Sequence, residues 1–154
     1  MGVRHIVPAC AAAALAAVPA LAADPVTVIL DTAREVCTSY ENGQFDAGDA
    51  VTEIDLTGDG VPDRVVDESR FGCSSAASMY CGSGGCMLHA VVGEDSWRFQ
   101  AEGWRVIDWD AQPILLIARD GGWCGGIGAQ LCFEAVTWSD GDMLSVMPPP
   151  QPAD

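Results

Sequence analysis

Lysine is absent from this sequence of 154 residues, and positive charge is scarce, with seven arginines against 22 aspartates and glutamates. The formal net charge is −15 at pH 7. A molecule of this sign repels phosphate groups, so the composition argues against nucleic acids and anionic membrane surfaces as partners. Cations, or a basic protein, are the partners that such a charge favours.

The signatures of nucleophilic and phosphate-binding enzymes are also absent. No Gly-x-Ser-x-Gly elbow occurs, and the Gly-rich stretch between Cys81 and Cys86 lacks the lysine of a phosphate-binding loop. That stretch is interpreted as a tight disulfide-closed turn, in preference to a backbone cradle for an anion. His89, the single histidine after residue 22, is interpreted as a half-buried strand residue, and a zinc site shared with those cysteines is disfavoured.

Long apolar runs are missing after residue 22, so no later segment is predicted to span a bilayer. Residues 1–22 have the pattern of a secretory signal peptide, with Arg4 before an apolar run and Ala20-Leu21-Ala22 as the cleavage site. Its removal leaves 132 residues, which suits a single globular domain over 23–147. The Pro-rich segment 148–154 is predicted to be disordered. The predicted location is the periplasm or the extracellular space.

The cysteines agree with export. Apart from Cys10, which lies in the predicted signal peptide, the six cysteines form an even set that predicts three disulfides in an oxidising compartment. Cys124 and Cys132 bracket a flexible Gly-rich loop and are predicted to pair. The sequence leaves open how the other four pair, although a bridge from the N-terminal helix to the sheet is expected; these four are Cys37, Cys73, Cys81 and Cys86.

One helix and a series of strands are predicted. Asp24-Pro25 provides an N-cap and a first helical residue, apolar residues follow at helical spacing, and Asn42-Gly43 ends the pattern. From residue 51 the apolar period changes to two, with short polar turns between segments. The predicted strands are 51–56, 63–68, 86–92, 97–101, 104–109, 113–119, 131–138 and 142–147. We therefore expect an α+β fold, in which the helix packs on one antiparallel sheet of about six to eight strands.

The stretch Asp55-Leu56-Thr57-Gly58-Asp59-Gly60-Val61-Pro62-Asp63 predicts a calcium-binding loop. Calcium binds six to eight oxygen ligands, and alternate side chains on a tightly curled backbone can point at one centre. Gly60 permits the sharp turn. The predicted ligands are the side chains of Asp55, Thr57, Asp59 and Asp63 and the carbonyl oxygen of Val61.

Segments on both sides of this loop are β-branched, so the loop is predicted to join strands. Its D-x-T-x-D-G-x-x-D pattern resembles the strand–loop–strand calcium motif of the FG-GAP/VCBS repeats and the first nine positions of an EF-hand loop. The resemblance implies a calcium ion as cofactor. Those repeats build propellers from many copies, whereas this chain has one copy, so their fold does not follow. Val66 occupies the position where an EF-hand has a bidentate Glu.

The signal peptide, this loop and the Cys/Gly motifs are together similar to those of small exported proteobacterial proteins, which implies a location in the cell envelope. The first hypothesis is a non-catalytic, calcium-binding domain with a binding or structural role. The second is an acidic periplasmic inhibitor of a basic enzyme such as lysozyme. A hydrolase that uses two of the many carboxylates is the third. Trp123, next to Gly121-Gly122 and Cys124, is the predicted partner contact because it is expected to be exposed.

Overall fold

The computed structural model describes residues 23–146, which form one α-helix and eleven strands. The predicted signal peptide with Cys10, residue 147 of the last predicted strand, and the tail 148–154 lie outside the described residues. The helix is α1 (Pro25–Ser39). The strands are β1 (Phe45–Asp46), β2 (Val51–Ile54), β3 (Asp63–Asp67), β4 (Gly72–Cys73), β5 (Cys81–Gly82), β6 (Gly85–Val92), β7 (Asp95–Ala101), β8 (Gly103–Trp109), β9 (Gln112–Arg119), β10 (Cys132–Ser139) and β11 (Asp142–Val146).

The helix begins as the sequence predicts. The Asp24 side chain accepts a hydrogen bond of 3.0 Å from the backbone N–H of Thr27, and Pro25 is the first helical residue. One face of α1 is buried through Val26, Ala33 and Cys37, and the first two of these share a core with Val66 of β3 and Val91 of β6. Within residues 23–146, no helix combines the length and apolar character that a membrane crossing needs.

The strands form two main sheets, and the expectation of a single sheet is wrong. The first sheet has the order β2-β3-β6-β7, with the short β5 also paired to β6, and the second has the order β8-β9-β10-β11. Strands β1 and β4 form a separate pair. All pairings are antiparallel. The eight predicted strands therefore divide equally between the two main sheets.

The division occurs at Glu102, between β7 and β8. Its backbone N–H donates to the carbonyl of Ala118 in β9, at 2.8 Å, so the chain leaves β6 and begins to pair with β9. Periodicity identifies strands and short turns identify neighbours, but neither shows where a meander changes sheets. Three strands were not predicted from the sequence: β1, β4 and β5. Each has two residues, which is too short to show an alternation of apolar and polar residues.

The first sheet is the middle layer of three. Adjacent residues of a strand point to opposite faces. Val65 therefore faces the second sheet and joins a core with Leu88, whereas Val66 faces α1 and joins a core with Val91. All four side chains are fully buried. The helix lies on one side of the first sheet, and the second sheet lies on the other.

Three disulfides are present, as predicted, and Cys124–Cys132 is one of them. The other four cysteines form Cys37–Cys73, which ties the end of α1 to β4, and Cys81–Cys86, which closes the β5–β6 hairpin. The bridge from the helix is thus made to the small β1–β4 pair. The disulfide at Cys81–Cys86 confirms the interpretation of this Gly-rich stretch as a closed turn.

The two longer bridges should differ in their effect on stability. Cys37–Cys73 spans 36 residues and Cys124–Cys132 spans eight. The loop-entropy relation gives about 4 kcal/mol for the first and about 2.5 kcal/mol for the second. We predict that C37A/C73A lowers the free energy of unfolding more than its matched control C124A/C132A in urea denaturation. Non-reducing peptide mapping should give these three bridges, and a stoichiometric free thiol would contradict the pairing.

Candidate functional site

The predicted calcium loop connects β2 to β3 at one end of the first sheet. Ile54 and Asp63 pair across its base, so its two ends are held together by the strand ladder. Leu56, the second residue of the loop, is only 2% exposed and belongs to the core between the two sheets. The loop is therefore fixed to the fold at its base and by one buried side chain.

Asp55 organises the backbone of the loop. Its Oδ1 accepts hydrogen bonds from the N–H groups of Thr57, at 3.0 Å, and Gly58, at 2.6 Å, and its Oδ2 accepts from Gly60 at 2.9 Å. Gly58 and Gly60 both have φ of +82°, where a Cβ atom would introduce strain. The sequence spacing of Asp and Gly thus produces the curled backbone that was predicted from it.

The other two carboxylates of the loop also accept from its backbone. Asp59 Oδ1 accepts from the N–H of Val61 at 2.7 Å, and Asp63 Oδ2 accepts from the N–H of Leu56 at 2.9 Å. The hydroxyl of Thr57 accepts a longer bond, 3.4 Å, from Asp59 N. All four predicted side-chain ligands therefore lie on one compact loop and take part in its hydrogen bonding.

The charges of the loop act against one another. Burial raises the pKa of Asp63 above its ordinary value, and the negative charges of Asp59 and Asp55 add to this effect. Hydrogen bonds from the N–H groups of Gly58 and Gly60 instead lower the pKa of Asp55. Within residues 23–146, no arginine or histidine forms an ion pair with any of these three carboxylates. Their mutual repulsion is not offset by a cationic side chain.

The side chains of the loop are not gathered around a common centre. Within residues 23–146, no group of three or more His, Cys, Asp or Glu side chains is arranged as a metal-binding cluster. Asp55 and Asp59 turn towards the backbone N–H groups that they accept from. The structure thus brings the predicted ligands onto one loop without making their carboxylates converge.

Three further acidic turns lie at the same end of the molecule as the loop. A Cβ on Gly58 would lie 3.1 Å from Cδ of Pro113, which places the loop against the β8–β9 turn. Trp97 in β7 donates its indole N–H to Asp142 at 2.7 Å, which joins the β6–β7 and β10–β11 turns. We call this region the acidic end. Its carboxylates are those of Asp55, Asp59, Asp63, Glu94, Asp95, Asp108, Asp110, Asp140 and Asp142.

Trp123, the predicted partner contact, lies at the opposite end, in a 3-10 helix between β9 and β10. It is 49% exposed, and the guanidinium of Arg119 lies 4.7 Å from its ring centroid. Arg119 is itself buried and ion-paired to Glu134. Trp123 therefore does not share a face with the acidic end, and the two do not form one site.

Sequence reasoning missed a cavity of about 430 Å³ between α1 and the first sheet. His89 lies on its floor, is 8% exposed, and has its Nε2 atom 2.8 Å from Oε1 of Glu68. Arg98 lies opposite His89 in the β6–β7 pairing and also lines the cavity. The predicted strands 86–92 and 97–101 leave a four-residue turn, which would put His89 opposite Gln100. In the structure the strands continue to a two-residue turn at Gly93-Glu94, and this register puts His89 opposite Arg98.

Comparisons of the chain with protein-family models, with curated proteins and with solved structures gave no match. The functional interpretation therefore depends on the residues of this chain and on their geometry.

Proposed function

We propose that this chain is an exported, non-catalytic calcium-binding domain, stabilised by three disulfides, with a binding or structural role in the periplasm or outside the cell. The observation that carries the proposal is the loop 55–63, in which three carboxylates lie on one curled backbone and no cationic side chain of residues 23–146 pairs with them. A bound dication would offset that repulsion. Export is supported by the apolar segment 1–22 and by the disulfides.

The residues fit a calcium ion by their chemistry. Asp55, Thr57, Asp59 and Asp63 and the carbonyl of Val61 supply only oxygen ligands, which is the ligand type that calcium prefers. A carboxylate has about four lone-pair sites. Asp59 accepts a hydrogen bond at one oxygen, so acceptor sites are left for a metal. Binding requires side-chain rotation towards a common centre, on a backbone that is already curled.

The affinity should be modest because the loop has no twelfth ligand. Val66 is fully buried against α1. The next two acidic residues are already engaged, since Asp67 accepts from Trp104 Nε1 at 3.0 Å and Glu68 contacts His89. A loop of this kind is expected to bind calcium with a Kd of about 0.1–1 mM, the range of extracellular modules.

A second candidate function is inhibition of a basic enzyme such as lysozyme. The observation that favours it is the acidic end, where the loop and three turns present their carboxylates together. Complementary charge accelerates association and selects the partner, and its effect fades with salt. Calcium bound at the loop would neutralise part of this negative charge. Calcium binding should therefore weaken the attraction of the acidic end for a basic enzyme.

Calcium should raise the melting temperature through the loop. At about 10 mM calcium and a Kd of about 0.1 mM, binding stabilises the fold by about 2.7 kcal/mol, which is several degrees for a domain of this size. Asp59→Ala should abolish this rise, and the matched control Asp95→Ala, at the acidic end but outside the loop, should retain it. Magnesium should substitute poorly because it retains its waters. Equal melting of wild type and Asp59→Ala in chelator and in calcium would contradict the proposal.

Two amide substitutions in the loop should have opposite effects in the absence of calcium. The raised pKa of Asp63 means that folding disfavours its ionised form, so Asp63→Asn should raise the melting temperature at pH 7 in chelator. The lowered pKa of Asp55 means that folding favours its ionised form, so Asp55→Asn should lower the melting temperature under the same conditions. The stabilisation that the ionised Asp55 gives to the folded state is fully present above the ordinary pKa of 3.8 and is lost as the pH falls below that value, through the lowered pKa of the folded state. Changes of the same sign would show that loop charge does not govern local stability.

The inhibitor candidate predicts salt-sensitive binding to a basic lysozyme. Wild type should inhibit at micromolar or lower concentration at about 50 mM salt and lose most of its effect at about 300 mM. The variant D95N/D140N at the acidic end should weaken inhibition, whereas the control E35Q on α1 should not. Absence of inhibition at low salt would eliminate this candidate and leave calcium binding unaffected.

A further inference from the structure

The cavity between α1 and the first sheet has the volume and the partly apolar lining of a small-molecule binding site. Its volume of about 430 Å³ lies within the usual range for ligand pockets, about 300–1,000 Å³. The helix contributes apolar side chains, among them Val28, Ile29 and Val36. Val28 and Val36 are half exposed. Apolar surface is thus left open beside the cavity.

The floor of the cavity is polar and ordered. His89 and Glu68 contact each other at 2.8 Å, so the Glu68 carboxylate is already engaged within the protein. Tyr80 donates its hydroxyl to the carbonyl of Ala33 at 2.9 Å, which fixes the wall between the helix and the segment before β5. Burial and the charge of Glu68 raise the pKa of Tyr80, so its hydroxyl stays protonated. These groups shape the site without supplying a net positive charge.

Arg98 supplies that charge. Six arginines occur in residues 23–146, and four of them form an ion pair with a carboxylate: Arg34, Arg64, Arg70 and Arg119. Arg98 and Arg105 have no such partner among the described residues. In a chain so rich in carboxylates, partners for an arginine are abundant. Arg98 instead lies across the β6–β7 ladder from His89, and its solvent-exposed side chain lines the cavity.

We propose that this cavity binds an amphipathic monoanion, a molecule with an apolar body and one carboxylate or sulfonate group. The apolar body packs against Val28, Ile29 and Val36 of α1. The anionic group accepts hydrogen bonds from the guanidinium of Arg98, whose planar fork can donate to two oxygen atoms of either group. The site is separate from the calcium loop, and its test does not depend on the metal.

Two fluorescent probes, one anionic and one neutral, measure separately how the anionic group and the apolar body contribute to binding. The anionic probe is 8-anilinonaphthalene-1-sulfonate, and N-phenyl-1-naphthylamine is its neutral counterpart without the sulfonate. Wild type should bind the anionic probe at one saturable site. Arg98→Gln should weaken that binding about tenfold, the loss expected for a charge-assisted hydrogen bond, and change binding of the neutral probe less than about twofold.

Two further variants locate the site. Arg105→Gln removes the other arginine that has no ion-pair partner within residues 23–146. Arg105 lies opposite Leu116 in the second sheet, remote from the cavity, so this variant should leave binding of both probes unchanged. Val36→Trp should fill the cavity and abolish binding of both probes, while the melting temperature stays near that of wild type because Val36 is half exposed. The proposal is overturned if wild type does not bind the anionic probe saturably, if Arg98→Gln binds it normally, or if Arg105→Gln is the variant that weakens binding.

Discussion

Burial of β3 and β6, the two central strands of the first sheet, on both of their faces is the constraint on which the rest of the structure depends. Val65 and Leu88 face the second sheet, while Val66 and Val91 face the helix, and each is fully buried. Burying such a side chain contributes about 1.5–3 kcal/mol. The loop 55–63 extends from the end of this sheet, and the helix-facing surface of the sheet forms the floor of the cavity. Both candidate sites therefore rest on a sheet whose two central strands are buried on both faces.

Ion pairs that offset the negative charge are distributed unevenly over the two sheets. Arg119 is buried, pairs with Glu134 and donates to the carbonyl of Gln100, and so joins the two sheets where the chain passes between them. The acidic end has no comparable compensation, because none of the three loop carboxylates pairs with a cationic side chain in residues 23–146. Hydrophobic burial holds the fold together while its acidic end remains electrostatically strained. We propose that a calcium ion at the loop would relieve this strain, bound by oxygen atoms that already lie on one curled backbone.

The sequence predicted the local structure well because short-range rules determine it. Asp24-Pro25 set the start of the helix, alternation identified eight strands, and the spacing of Asp55, Gly58 and Gly60 produced the curl of the loop. The division into two sheets was missed because it depends on a contact between Glu102 and β9 that no local pattern encodes. The cavity was missed for the same reason, since it combines the helix with Glu68 and His89, which are 21 residues apart.

The most direct test of the calcium claim is a calcium titration of the ¹⁵N-labelled, chelator-treated protein, followed by amide chemical shifts. A calcium site in the loop should give saturable shifts, with one Kd of about 0.1–1 mM, in residues 55–63 and in the contacting β8–β9 turn around residues 110–113. The amides of Gly58 and Gly60 should be among those that move, because both donate to Asp55. Small shifts that do not saturate and are spread over all the exposed carboxylates would indicate a diffuse counterion atmosphere and would contradict a calcium site in the loop.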